Sequence, residues 1–118
     1  MAGIEHRDFS APDETRTPDK TTVELVNLAG GQIGRYTFAP GWKCSECVKP
    51  VVGTDSCQVE HIGYVVAGTL HVEHDDGSEG ALTAGSVYRV APGHDAWNAG
   101  DEPAVFVEFQ VAANYAKG

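Results

Sequence analysis

A chain of 118 residues, 42% hydrophobic and 21% charged, has the composition of one soluble globular domain that can bury a single core. Its formal net charge of −9 disfavours nucleic acid and anionic membrane surfaces as partners, because both would repel it. No stretch approaches the ~20 apolar residues of a membrane span, and the first residues lack the apolar core of a signal peptide. The three cysteines are an odd number, which fits a reducing cytoplasm with free thiols better than a secreted disulfide scaffold. We therefore expect a cytoplasmic protein that binds neither nucleic acid nor membranes.

The first part of the chain contains an arm followed by two strand-like runs. Residues 1–22 carry many charges and little hydrophobic periodicity, which predicts an arm that lies over the domain. Residues 23–28 and 32–39 have the composition of strands, and a turn with two glycines separates them. Within the second run, Tyr36 and Phe38 fall on the same face.

The second part of the chain reads as a series of short strands. Strand-like runs occupy residues 69–73, 86–91 and 104–111, and the Asp-Asp-Gly sequence at 75–77 predicts a hairpin turn. About eight short strands separated by Gly and Pro turns predict an all-β sandwich or barrel. The predicted organisation is an N-terminal arm at 1–22, one β-barrel domain at 23–112 and a C-terminal tail at 113–118.

A cysteine and a histidine four residues apart dominate the segment from Asp55 to Gly68. The segment is rich in β-branched and aromatic residues, which predicts a strand with Cys57 and His61 on the same face. If that face is the inside of a barrel, a thiolate and an imidazole converge there, and these are preferred zinc ligands. The alternative is a buried structural cysteine beside a hydrogen-bonded core histidine.

This segment resembles the first motif of the cupin superfamily, whose members are small β-barrels of the jelly-roll kind. The motif is a glycine, five residues, His-x-His, three or four residues, Glu, six residues and a glycine. Counting back from Gly68 places His61, Cys57 and Asp55 at the three ligand positions, so the spacing is kept and the ligand types are changed. The resemblance implies an all-β cupin-type jelly-roll β-barrel in a single domain.

The second cupin motif is matched in spacing from Gly85 onward. It places Ala91 at a proline position and Ala96 at the histidine position, and His94 lies two residues before Ala96, on the same face of a strand. In a similar subgroup of small uncharacterised bacterial cupins, a histidine tends to occupy the place of Cys47. The resemblance therefore implies a substitute metal site formed by Cys47, Cys57, His61 and His94.

Cys44 and Cys47 form a C-x-x-C pair, which suggests zinc or redox chemistry. In an extended backbone only one of the two thiols can face inward, and we expect it to be Cys47. A thioredoxin-type role is disfavoured because no helix follows to lower the pKa of a thiol. A structural zinc held by three thiolates and one imidazole is the remaining alternative, with ligands Cys44, Cys47, Cys57 and His61.

Three further side chains have predicted roles near this site. Tyr64 and Trp97 are expected in the pocket wall or the core. Asp95 is expected to orient His94 as a carboxylate partner of its ring.

Together these residues predict a metal-binding cupin that holds a small polar molecule in its barrel. Zinc is the expected divalent metal, with iron, nickel or copper as alternatives, and the sequence does not decide between hydrolytic, isomerising and oxygen-dependent chemistry, or whether the protein is an enzyme. Two other functions stay open: a non-enzymatic module that binds or senses a ligand or metal, and a metal-free barrel with a reactive thiolate at Cys57. The arm and the sheet edges predict a homodimer.

Overall fold

The computed structural model describes residues 3–29, 31–44 and 60–109, and these residues form nine β-strands. In chain order the strands are β1 (Glu14–Arg16), β2 (Thr21–Leu28), β3 (Gly31–Phe38), β4 (His61–Ala67), β5 (Thr69–His74), β6 (Glu79–Thr83), β7 (Val87–Val90), β8 (His94–Trp97) and β9 (Ala104–Phe109). Where the described residues cover them, the strands predicted from composition are confirmed, while β1 and β6 were not predicted. No helix in the described part of the chain is long and apolar enough to cross a membrane.

The strands form two antiparallel sheets. The large sheet has the order β1-β2-β3-β9-β4-β7, and the small sheet has the order β6-β5-β8. Strands that are far apart in the chain are therefore neighbours, and β9 lies between β3 and β4. This arrangement confirms the predicted all-β fold and places residues of the two motif regions on facing sheets.

Period-two alternation decides which side chains enter the core. On β3, Tyr36 and Phe38 are buried, while Thr37 between them is only half-buried. The buried cluster draws on both sheets, which shows that their inner faces pack against each other. Its members are Val23, Leu25, Tyr36, Phe38, Trp42, Cys44, Val65, Leu70, Tyr88, Ala96, Ala104 and Phe106.

The hairpin predicted at Asp-Asp-Gly joins β5 to β6. Gly77 has a φ of +93°, in the left-handed region that glycine adopts without steric cost. The backbone N–H of Gly77 donates to the carbonyl of His74 at 2.9 Å. The predicted turn is confirmed.

The N-terminal segment contributes a strand to the large sheet. Strand β1 pairs with β2, and the guanidinium of Arg35 lies 5.0 Å from the centre of the Phe9 ring. Ile4, in the same segment, is 82% exposed. The predicted domain boundaries themselves stay predictions.

Candidate functional site

Two histidines from opposite sheets meet inside the molecule. His61 is the first residue of β4 and His94 the first residue of β8, and both side chains point inward. They are 7% and 3% exposed, and their ring centres lie 5.1 Å apart at an angle of 72° between the planes. The expectation that these two imidazoles converge on one interior space agrees with this geometry.

A buried carboxylate fixes the orientation of His61. Glu108, on the inner face of β9, is 5% exposed, and its Oε1 accepts a hydrogen bond from His61 Nδ1 at 2.6 Å. Tyr88, on the inner face of β7, donates its hydroxyl to Glu108 Oε2 at 2.5 Å. Both carboxylate oxygens are thus engaged, which satisfies a polar group that would be costly to bury alone.

Gly63 makes the contact between Tyr88 and Glu108 sterically possible. It lies on the inner face of β4 and is paired with Tyr88 on one side and with Glu108 on the other. A Cβ at this position would lie 2.3 Å from the carbonyl oxygen of Val107 and 2.8 Å from the Tyr88 hydroxyl. Because glycine has no side chain, the space between the two strands stays open and the Tyr88 hydroxyl can reach the Glu108 carboxylate.

His94 is held by the backbone. Its Nδ1 donates to the carbonyl of Ala91 at 2.8 Å, and since a carbonyl oxygen only accepts, Nδ1 carries the proton. Burial lowers the pKa of His94 below its usual value, and the nearby His61 ring acts in the same direction. His94 is therefore a neutral imidazole at pH 7, and Nε2 holds the lone pair.

The two imidazoles line a small interior cavity. Its volume is about 30 Å³, enough for a water-sized occupant. The described lining is mostly apolar, and its ionisable groups are His61, His94, Glu108 and Tyr88. A polar or cationic occupant would meet these groups in surroundings of low dielectric, where electrostatic interactions are strong.

Trp42 also lines this cavity and is 2% exposed. Among the described residues no acceptor lies within hydrogen-bonding distance of its buried indole Nε1–H. A buried donor of this kind is stabilised by an acceptor, so the cavity suits an occupant with a polar oxygen or nitrogen.

Comparisons with solved structures identify the architecture. An RmlC-like cupin from Shewanella frigidimarina is 21% identical, covers 94% of this chain and 95% of its own, and superimposes with a TM-score of 0.63. A protein of unknown function from Rhizobium leguminosarum is 18% identical with a TM-score of 0.65, over 92% of this chain and 96% of its own. The chain has the cupin fold. A cupin-superfamily sugar phosphate isomerase from Silicibacter pomeroyi is also similar, at 21% identity and a TM-score of 0.54, over 79% of this chain and 60% of that protein. No protein-family model and no curated protein matches the sequence.

Cys44 of this cupin barrel is placed differently from expectation. Cys44 is 3% exposed, lines the cavity and is disulfide-bonded. The expectation that Cys44 faces away from the interior was therefore wrong. A sulfur in a disulfide is not a thiolate, so the alternative zinc site that included Cys44 does not fit this oxidised form. The predicted ligands Cys47 and Cys57 lie outside the described residues and stay predictions.

Tyr64 and Trp97, expected in the pocket wall or the core, do not line the cavity. Both lie one residue out of phase with the inward positions of their strands: Tyr64 is 44% exposed, and Trp97 stacks on His71 with ring centres 6.0 Å apart. For the same reason Asp95 faces away from His94 and lies 3.8 Å from the ammonium group of Lys43. Ala91, at the proline position of the second motif, supplies the partner of His94 instead.

Glu108 and Tyr88 are site residues that the sequence analysis missed. In the predicted strand at 104–111, Glu108 is the one charged residue in an apolar run. It lies an even number of residues from the buried Ala104 and Phe106, and therefore on the same face of the strand. An isolated carboxylate on the inner face of a strand needs a partner, and this signal was present in the sequence.

Proposed function

We propose that this protein is a small metal-binding cupin in which His61 and His94 are two of the metal ligands. The observation that carries the proposal is that both rings are fixed through Nδ1, one by a carboxylate and the other by a backbone carbonyl. Histidines that ligate metals almost always donate their second ring N–H to such a group. In this proposal, Nε2 of each ring is the atom that binds the metal.

The spacing and charge of the two rings support the same proposal. Two imidazoles that share one tetrahedral zinc, at about 2.0–2.1 Å from each nitrogen, have ring centres about 5 Å apart. The separation of 5.1 Å between His61 and His94 agrees with this value. A neutral His94 needs no proton loss before it binds a cation, so its lowered pKa favours ligation near pH 7.

The proposal draws the remaining ligands from outside the described residues. Within these residues, no group of three or more His, Cys, Asp and Glu side chains is placed to hold a metal ion. Cys57 and Cys47 are the thiolates that the sequence predicts, and the chain contains three cysteines in all. Cys44 is disulfide-bonded, so the proposal takes its thiolate ligand from Cys47 or Cys57.

The size of the cavity limits the molecule held beside the metal. A volume of about 30 Å³ accepts a metal ion with a water or a similarly small molecule, and Trp42, whose buried indole N–H has no acceptor among the described residues, is part of the lining. Zinc there supplies Lewis-acid chemistry, and iron, nickel or copper supplies redox chemistry. A metal-sensing or metal-storing role needs the same two imidazoles, but it does not need a coordination position on the metal that a second molecule can occupy.

Metal analysis of three histidine variants tests the proposal. Protein purified without added metal is expected to carry a divalent ion, zinc first, in near-stoichiometric amount. His61→Gln and His94→Gln are expected to lose it. His71→Gln is the matched control, because His71 is exposed on the outside of the small sheet and stacks on Trp97. Wild-type protein that stays metal-free after incubation with zinc would contradict the proposal. His94→Gln protein that keeps its full metal content would contradict it as well.

A second candidate function is proton transfer without a metal. It is favoured by the hydrogen-bonded series of Tyr88, Glu108 and His61, since a carboxylate that orients an imidazole is the usual setting of a general base. The similar sugar phosphate isomerase from Silicibacter pomeroyi makes isomerisation the reaction class to test. A substrate of that size exceeds the interior cavity and would have to lie in the adjoining groove of about 310 Å³, which shares Val72, Leu82 and Val90 with it.

Hydrogen exchange in deuterated water distinguishes this candidate from the first. Metal-free protein would be incubated with a panel of aldose and ketose phosphates, and deuterium incorporation next to the carbonyl group would be followed by NMR. Incorporation that is lost in Glu108→Gln supports proton transfer. No incorporation with any sugar phosphate, together with stoichiometric metal in the wild type, leaves the metal-binding function alone.

A further inference from the structure

A disulfide sulfur lies in the wall of the interior cavity. Cys44 lines this cavity together with His61 and His94, and it is disulfide-bonded. All three residues are buried. A group that can be oxidised or reduced therefore shares the cavity wall with the two imidazoles of the proposed metal site.

The backbone holds Cys44 beside β8, the strand that carries one of the two histidines. Lys43, the preceding residue, forms an isolated antiparallel bridge with Trp97, the last residue of β8. One residue earlier, the carbonyl of Trp42 accepts a hydrogen bond from the backbone N–H of Asn98 at 2.9 Å. These contacts use backbone atoms and do not depend on the oxidation state of the sulfur, so we expect Cys44 to keep its place in the wall after reduction.

The oxidation state of a cysteine decides whether its sulfur can bind a metal. Zinc binds cysteine as a thiolate, and a sulfur in a disulfide is not one. With Cys44 in its disulfide, the described residues hold no group of three or more His, Cys, Asp and Glu side chains placed for a metal ion. The other two cysteines of the chain, Cys47 and Cys57, are both predicted ligands, so a bond from Cys44 to either one withholds it from the metal.

We propose that the disulfide at Cys44 is a redox switch that controls how tightly the cavity binds zinc. This inference rests on the proposed function, because it concerns the regulation of the same site. Reduction converts the disulfide into two thiols, so the reduced protein offers more thiolates beside the two imidazoles than the oxidised protein does. Loss of a group that only supports a ligand weakens metal binding about 10–100-fold, and loss of a ligand costs at least as much. The reduced form is therefore expected to bind zinc at least about 100-fold more tightly.

The reaction of the switch is thiol–disulfide exchange. A dithiol reductant supplies two electrons and two protons: the S–S bond of the protein breaks, two cysteine thiols form, and the dithiol becomes a cyclic disulfide. In the reverse direction a small disulfide accepts two electrons and two protons from the protein and leaves as two thiols. A thiol that binds zinc loses its proton to the solvent. Because zinc binding and oxidation compete for the same sulfur, bound zinc is expected to slow the return of the disulfide.

The zinc affinities of the oxidised and the reduced wild-type protein test the switch. Both are measured by competition with a chromophoric chelator, after a thiol count has verified the oxidation state of each sample. The reduced sample is prepared with a dithiol, which is then removed by gel filtration under nitrogen because dithiols bind zinc themselves. The reduced protein is expected to bind zinc at least about 100-fold more tightly than the oxidised protein. This comparison needs no substitution and does not depend on the folding of a variant.

Cys44→Ser is the variant that assigns the switch to this disulfide, and circular dichroism verifies its fold. It cannot form the bond, so it is expected to show the same zinc affinity with and without prior reduction. A Cys44→Ser protein whose affinity still rises on reduction overturns the proposal, because the disulfide that matters then excludes Cys44. Equal affinities of oxidised and reduced wild type overturn the switch and leave the metal-binding function standing. No zinc binding by either form overturns the proposed function, and the switch with it.

Discussion

Tyr88 and Glu108 are hydrogen-bonded across an intervening strand. Tyr88 lies on β7 and Glu108 on β9, and β4 runs between them, yet the tyrosine hydroxyl reaches the carboxylate at 2.5 Å. The side chains span this distance because the residue between them on β4 is Gly63. Glu108 then uses its second oxygen to hold His61, so one glycine supports the orientation of the whole buried polar group.

We predict that Gly63→Ala destabilises the protein by at least about 3 kcal/mol, measured by urea denaturation. The new Cβ would lie 2.3 Å from a backbone oxygen, which cannot move away as the end of a flexible side chain can. Gly80→Ala is the control, since Gly80 also lies in a strand and a methyl group added there would meet no described atom within 4 Å. Equal stability of the two variants would contradict the steric role of Gly63.

We predict that Tyr88→Phe costs about 1–3 kcal/mol of unfolding free energy, because it leaves one oxygen of the buried Glu108 without its donor. The ring itself stays, so its edge contact with Phe106, at 5.4 Å between ring centres, is retained. The measurement is the same urea denaturation. A loss below about 0.5 kcal/mol would show that another donor replaces the hydroxyl.

We predict that Glu108→Gln weakens zinc binding about 10–100-fold, measured by competition with a chromophoric chelator. The amide keeps the volume of the side chain but removes the carboxylate that holds His61 Nδ1. Glu24→Gln is the control, because Glu24 pairs with Arg35 on the outer side of the large sheet. Unchanged zinc affinity in Glu108→Gln would show that this carboxylate does not contribute to metal binding.

We predict that the metal-free protein loses stability as the pH falls from 7.5 to 5.0, in part through His94. Burial lowers the pKa of His94, so the unfolded chain takes up its proton first, near the usual pKa of about 6.5. The contribution of His94 is therefore complete above that pH and is lost as the pH falls through the folded-state pKa. Urea midpoints across this range should fall less steeply in His94→Gln, whereas His71→Gln should follow the wild type. Parallel curves for His94→Gln and wild type would refute the assignment.

We predict one reactive thiol in the unreduced, denatured and metal-free protein and three after reduction, measured with a thiol reagent that releases a coloured product. The reason is the disulfide at Cys44 in a chain with three cysteines. Three thiols before reduction would mean that the isolated protein is fully reduced. In that case the zinc alternative with Cys44 as a ligand becomes chemically possible again.

Much of the fold could be predicted from local sequence. The alternation of Tyr36 and Phe38 with polar neighbours identified the inner face of β3, and the Asp-Asp-Gly turn identified the β5–β6 hairpin. Strand β1 was missed because its three residues, Glu14 to Arg16, are polar and exposed or half-buried. A strand at the edge of a sheet needs no apolar face, so hydrophobic periodicity does not reveal it.

The candidate site was predicted only in part, because the alternation of side chains between the two faces of a strand was not applied to every residue. His61 and His94 were recognised as ligand candidates, but Tyr64 and Trp97 were assigned to the pocket although each is an odd number of residues from the inward histidine of its own strand. A shift of one residue along a strand moves a side chain to the opposite face of the sheet. Applying this rule to each strand would have excluded both residues and selected Glu108.

The sequence by itself determined most of the strands, the Asp-Asp-Gly turn and the alternation of inward and outward side chains, because period-two alternation and turn chemistry act over a few residues. Only the tertiary structure decided which of these side chains meet. His61 and His94 come from different sheets, and Glu108 reaches His61 only because β9 is inserted between β3 and β4. Strand order depends on how two whole sheets bury their apolar faces together, and no local pattern in the chain specifies it.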